Sequence, residues 1–307
     1  MNLFQKTMLS SAVLAAVALG TPGAVRADTF AQSILVIDNF RLLHANGTSY
    51  TAGDFSVFAG GNGAYAGAYL NNVGDSAWQA GAGNLDIAQR GVGAKLPVLA
   101  ENVFTPLAGA AGNFAHADQY MAGSMVTTNN GAAGALLQTG AGASLSNAGA
   151  VTSFAGLASA TTFSFSLGAD DTMTIAFDAL PFSQAFASAG AAGGYGNANL
   201  MWSLKLNDLT SGASVFAFQP AQLNALSNVS RNGAFGGATT YQPGWLSFGA
   251  STALLNAGDV YQVSIAQASF ASALQNQQVA EPATLAAFGA GLLAMAMLGR
   301  RRRHRGG

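Results

Sequence analysis

Thr161-Thr162-Phe163-Ser164-Phe165-Ser166-Leu167, then Gly168-Ala169-Asp170-Asp171, then Thr172-Met173-Thr174-Ile175-Ala176-Phe177-Asp178: apolar and polar side chains alternate, pause at turn formers, and alternate again. A period of two puts Phe163, Phe165 and Leu167 on one face of an extended chain, and Met173, Ile175 and Phe177 on one face of the next. The pattern predicts an antiparallel hairpin with one buried and one polar face. The same period returns at 201–209, through Trp202, Leu204 and Leu206 or the alternate set. It returns again at 215–218 after Thr210-Ser211-Gly212-Ala213, at 245–248, and at 260–265 after Asn256-Ala257-Gly258-Asp259.

Toward the N-terminus, 32–38 and 40–43 are β-branched and apolar, and Asn46-Gly47 is a turn signal leading to 49–58, which predicts another hairpin. Residues 60–95 are Gly- and Ala-rich with little periodicity, and read as long loops with short edge strands. Further strands are expected at 98–104, 119–128 and 135–145, and a second Gly/Ala-rich patch at 188–199 divides the later ones. Residues 268–278 are small, polar and uncharged, and read as a linker. About ten to twelve strands, no amphipathic helix and no repeat period indicate an all-β fold, an antiparallel β-sandwich or jelly roll. It would occupy 28–267, with the linker over 268–280.

The N-terminus reads as a processing segment. Lys6 gives a positive start, 8–19 an apolar run too short to cross a bilayer, and Val25-Arg26-Ala27 a small-residue site. Residues 1–27 are therefore expected to pass the export translocase and to be cut by signal peptidase between Ala27 and Asp28. Between Asp28 and Ala280, five basic residues (Arg41, Arg90, Lys95, Lys205, Arg231) face twelve acidic ones. That leaves a net charge near −7, which the whole-chain value of −1 hides. An acidic surface disfavours nucleic acid and anionic lipid. There is no cysteine, so an exported body of this kind relies on core burial or bound ions, and thiol chemistry is excluded.

Few residues offer chemistry. His44, His116 and His304 are scattered, and no nucleophile elbow, zinc motif or phosphate loop is present. Asp170 and Asp171 are adjacent, with Asp178 across the expected hairpin. Paired acids serve glycosidases and Ca²⁺ sites, but Asp in a tight turn is favoured for local hydrogen bonding. No catalytic residue and no cofactor are assigned. A structural Ca²⁺ would suit an exported fold without disulfides, with those three acids as the weak candidates. Tyr65, Tyr69 and Trp78 fall in the Gly-rich region, where ring faces can stack on sugars; Trp202 and Trp245 fall in expected strands and read as core.

The C-terminus is the most distinctive part. Val279-Ala280-Glu281-Pro282-Ala283-Thr284 leads into an uncharged run, 283–299, and then Arg300-Arg301-Arg302-Arg303-His304-Arg305. As a helix, 283–299 would be roughly 26 Å long, at the short end for spanning a bilayer. The arginines would stay on the cytoplasmic side. Pro282 biases Glu281 toward an extended conformation that a protease can bind. A permanent tail anchor is the alternative. In order and spacing, 281–305 resembles the bacterial PEP-CTERM sorting signal, although Ala280 stands where that family has its first Pro.

The resemblance implies recognition at Glu281, Pro282, Ala283 and Thr284 by an exosortase-type membrane protease. It also implies transient residence in the inner membrane and a mature protein at the cell surface, outer envelope or extracellular matrix, associated with exopolysaccharide in biofilm. The expectation is a non-catalytic structural or interaction protein. A lectin-like polysaccharide-binding module is the alternative, and a secreted glycan hydrolase a third.

Overall fold

The computed structural model describes residues 28–93, 100–107, 112–189 and 193–276, with side chains 157–161 set aside. Ala27 and the rest of the expected signal peptide, the sorting motif Glu281–Thr284, the apolar run and the arginine cluster 300–305 lie outside the described residues. In chain order the strands are β1 (Thr29–Leu43), β2 (Phe55–Leu70), β3 (Val73–Gly81), β4 (Leu85–Gly93), β5 (Phe114–Ala122), β6 (Ala135–Leu145) and β7 (Gly149–Leu167). After these come β8 (Asp171–Ala187), β9 (Tyr195–Asp208), β10 (Ser214–Phe218), β11 (Val229–Asn232), β12 (Gly237–Tyr241), β13 (Leu246–Leu255) and β14 (Tyr261–Gln275). They form two antiparallel sheets packed face to face. The first runs β12-β8-β1-β6-β5-β4, with β13 also on β8; the second runs β10-β9-β14-β7-β2-β3, with β11 also on β9.

The strands follow the alternation, but their pairing does not follow the expected hairpins. β7 pairs with β2 and β14, whereas β8 pairs with β1, β12 and β13. The turn at 168–170 therefore carries the chain from one sheet to the other. Phe163, Phe165 and Leu167 meet Met173, Ile175 and Phe177 within one buried cluster. Two apolar faces can bury each other across a sandwich as well as side by side, and alternation does not distinguish the two. Likewise β1 and β2 lie in opposite sheets, with Leu43 and Ser49 joined only by an isolated bridge.

Other expectations need correction. Residues 60–93 are the long strands β2, β3 and β4; their inward alanines, Ala64, Ala66 and Ala68, are fully buried. The stretch 268–275 is the second half of β14, held between β7 and β9, not a linker, so the β body runs eight residues past 267. Small residues read as flexible in sequence, yet they suit an interior with little room. Residues 100–107 form no strand. They cross the outer face of the first sheet, where Phe104 sits over Gly140 and Leu107 packs with Phe30 and Phe114. The Leu107 N–H donates to Gln32 Oε1 (2.8 Å). Trp202 is buried as expected, but Trp245 is 56% exposed.

The interior is uneven. One half is aromatic: Phe177 lies 4.5 Å from Trp202, 5.6 Å from Phe40 and 5.2 Å from Phe248, ring centre to ring centre. The other is lined by Ala31, Ala68, Ala141, Ala143, Ala185, Ala198, Ala271 and Ala273. There the sheets come close enough for Ser33 Oγ to donate across the interior to the Phe270 carbonyl (2.8 Å). A Cβ at Gly196 would lie 2.7 Å from the Phe30 carbonyl oxygen. Gly→Ala inside a strand ordinarily helps, but here the new atom meets backbone. Gly196→Ala is expected to destabilise by about 1–3 kcal/mol, read from the urea midpoint.

Candidate aromatic binding face

The second sheet brings Tyr65, Tyr69 and Trp78 together on its outer face. Tyr65 is the direct cross-strand partner of Trp78, and Tyr69 follows four residues along β2 on the same face. Strand register extends the face over β7, β14 and β9 in three rows. The first is Trp78, Tyr65, Gly156, Ala268, Met201; the second Ser76, Gly67, Phe154, Phe270, Asn199; the third Gly74, Tyr69, Thr152, Ser272, Asn197. Trp78 is 66% exposed, and Tyr69 and Met201 are exposed as well.

The rings lie down on the sheet because glycines leave them space. A Cβ at Gly67 would come within 2.5 Å of the Tyr65 hydroxyl, at Gly74 within 2.5 Å of the Tyr69 ring, and at Gly156 within 2.8 Å of the Phe154 ring. The Tyr65 and Tyr69 hydroxyls share a 2.6 Å hydrogen bond. That bond raises the pKa of Tyr65 and lowers that of Tyr69. Tyr65 and Phe154 rings are 5.9 Å apart. The result is a pavement of ring faces edged by hydroxyl and amide groups.

The acids singled out from the sequence are not brought together. Asp170 Oδ1 accepts the Ala257 N–H (2.6 Å). Asp178 accepts from Ser247 Oγ (2.6 Å) and sits seven residues along β8 from Asp171, about 23 Å at the usual rise. Glycosidase carboxylate pairs sit within about 10 Å. Among the described residues no group of three His, Cys, Asp or Glu side chains is placed to hold a metal ion. Asp28, at the expected cleavage point, opens the body: its N–H donates to Ser188 Oγ (2.9 Å).

Asp171 has a longer reach than a turn residue. Its Oδ1 accepts the Thr172 N–H, while Oδ2 lies 2.6 Å from His44 Nδ1 and accepts from the Tyr50 hydroxyl at 2.7 Å. His44 stacks on Tyr50 (3.7 Å) and turns Nε2 toward Asp54 (3.3 Å). Burial pushes the Asp171 pKa up, but the bonds from Tyr50 and His44 outweigh it and the net direction is down. The Thr51 N–H likewise lowers Asp54. Both imidazole nitrogens face carboxylates, so the cluster pins the crossover from β1 to β2. Nothing in the spacing of His44, Tyr50, Asp54 and Asp171 signals this, because a sheet-to-sheet crossover brings them together.

Asp118 on β5 is buried beneath the 100–107 segment, accepting N–H groups from Asn102 (2.9 Å) and Gln119 (2.8 Å). Burial pushes its pKa up to about 6. No family model, curated protein or solved structure matches this chain.

The titrations oppose each other. Asp118 binds its proton more tightly in the folded state, so its contribution to stability is full below pH 3.8 and is lost as pH rises to about 6. Asp54 and Asp171 bind theirs less tightly, so their contribution is present above the ordinary carboxylate range and is lost as pH falls through their lowered values. Asp118→Asn is expected to flatten the decline between pH 3.8 and about 6, whatever its effect on absolute stability. A series of denaturation midpoints against pH checks this.

Proposed function

We propose that this chain is an exported bacterial surface or matrix protein that binds polysaccharide through the outer face of its second sheet. Its role is adhesive rather than catalytic. The observation that carries this reading is the contrast between the two outer faces. The first sheet is covered by its own chain, through Phe104 and Leu107. The second presents Trp78 and Tyr69 to solvent, with Tyr65 half-buried beside them on a bed of glycines. Exposed aromatics edged by polar groups mark an interaction site, and ring faces beside hydroxyl and amide groups complement the faces and hydroxyls of sugars.

Delivery rests on the two ends. The segment 1–27 would direct export, and Glu281-Pro282-Ala283-Thr284 with the run 283–299 and Arg300–Arg305 would be read by an exosortase-type protease. The body carrying the aromatic face would then be released to the envelope or matrix.

Protein recovered from the surface or medium of its host is expected to lack residues 1–27 and to end near Glu281-Pro282, as read by intact mass and the C-terminal peptide. A product still carrying 285–305 would make the helix a permanent anchor. The double variant Trp78→Ala/Tyr69→Ala is expected to lose retention on the host's own exopolysaccharide while keeping its thermal midpoint within a few degrees. Retention equal to the parent protein's would refute the binding reading.

A further inference from the structure

We infer that the polysaccharide is an uncharged one, lying flat on a track of rings that crosses the strands from Trp78 through Tyr65 and Phe154 to Phe270. This rests on the polysaccharide-binding reading above.

Three observations define the track. Trp78, Tyr65 and the Phe154–Phe270 pair occupy four successive strands, β3, β2, β7 and β14, in two adjoining rows of the face. Three steps at the usual strand spacing of about 4.8 Å span about 14 Å, the scale of a short oligosaccharide. Second, the two central rings of the track, Tyr65 and Phe154, lie against the sheet over Gly67 and Gly156, as Tyr69 does beside them over Gly74, which presents ring faces and favours a flat, extended chain over a branched or globular one.

Third, the fifteen positions of the three rows include no Asp, Glu, Lys, Arg or His. The acid on β3, Asp75, is tied to Arg90 (3.5 Å) and to the Gly91 N–H (3.0 Å) instead. An anionic polysaccharide would need cationic partners here, and the net negative charge of 28–280 would repel it. Ser76, Thr152, Ser272 and Asn199, at the remaining polar positions, match neutral sugar hydroxyls in kind, donor for acceptor, whereas the Asn197 amide already donates to Asn228 Oδ1 and the Val229 carbonyl.

The test is retention of residues 28–276 within the full mature protein on cellulose, β-1,3-glucan and mannan against alginate and polygalacturonate, each at low and high salt. Retention by at least one neutral polymer, insensitive to salt, and none on the two anionic polymers is expected. Trp78→Ala should weaken it about tenfold or more, and Trp78→Phe should restore most of it. Gly67→Val keeps every aromatic residue but lifts the Tyr65 ring, and should weaken binding in the same direction.

Retention on the anionic polymers alone, released by salt, would overturn the neutral-chain inference while leaving polysaccharide binding standing. Absence of retention on every polymer, including the host's own, would overturn both. A Trp78→Ala change that dissociates a dimer in sedimentation without altering polymer retention would assign the face to a second copy of this chain and overturn the inference.

Discussion

The close approach of the two sheets in the alanine-lined half is the constraint on which the rest of the structure depends. It is stapled by a buried polar network at its border with the aromatic half. Gln267 Nε2 donates to the Leu35 carbonyl (3.1 Å) and to Thr139 Oγ1 (3.2 Å), and Ser269 Oγ donates to the Thr139 carbonyl (3.0 Å). These bonds run from β14 in the second sheet to β1 and β6 in the first. Gln267 Oε1 has no hydrogen-bond partner in this network, but the bonds made by its Nε2 and by Ser269 still favour one arrangement, because a slipped register would leave these groups buried and unpaired as well. They therefore set the register of β14, and β14 in turn aligns β7 and β9 on either side of it.

That alignment has consequences on the opposite surface of the same strands. Inward alanines and outward aromatics alternate along β2: Ala64, Ala66 and Ala68 face the other sheet, while Tyr65 and Tyr69 face out. Shifting the strand by one residue would exchange the two sets. A thin interior and an aromatic exterior are thus one decision, made once by the pleat. The two outer faces then diverge because, among the described residues, it is the first sheet that has a stretch of its own chain, 100–107, laid across it.

Stability at mildly acid pH is divided between the same regions. Asp118, beneath the covering segment, favours the protonated state, whereas the carboxylates around His44 favour the ionised one. The covering segment and the β1–β2 crossover therefore respond to acid in opposite directions, and the aromatic face carries no group that titrates in that range.

Sequence by itself determined the fold class, the individual strands with strong alternation, and the presence of three aromatic residues in a glycine-rich region; of the two faces it left open at 201–209, the structure buries Trp202, Leu204 and Leu206. Alternation and side-chain size are local quantities, and a single chain displays them directly. Only the tertiary structure decided that 161–167 and 172–178 face each other across the interior and that 60–93 and 268–275 are strands. The same holds for the meeting of His44 with Asp54 and Asp171, and for the single pavement formed by Tyr65, Tyr69 and Trp78. Each of these depends on which sheet a strand joins and in what register. That choice is made by contacts between residues up to hundreds of positions apart, such as Ser33 with Phe270, so no local pattern records it.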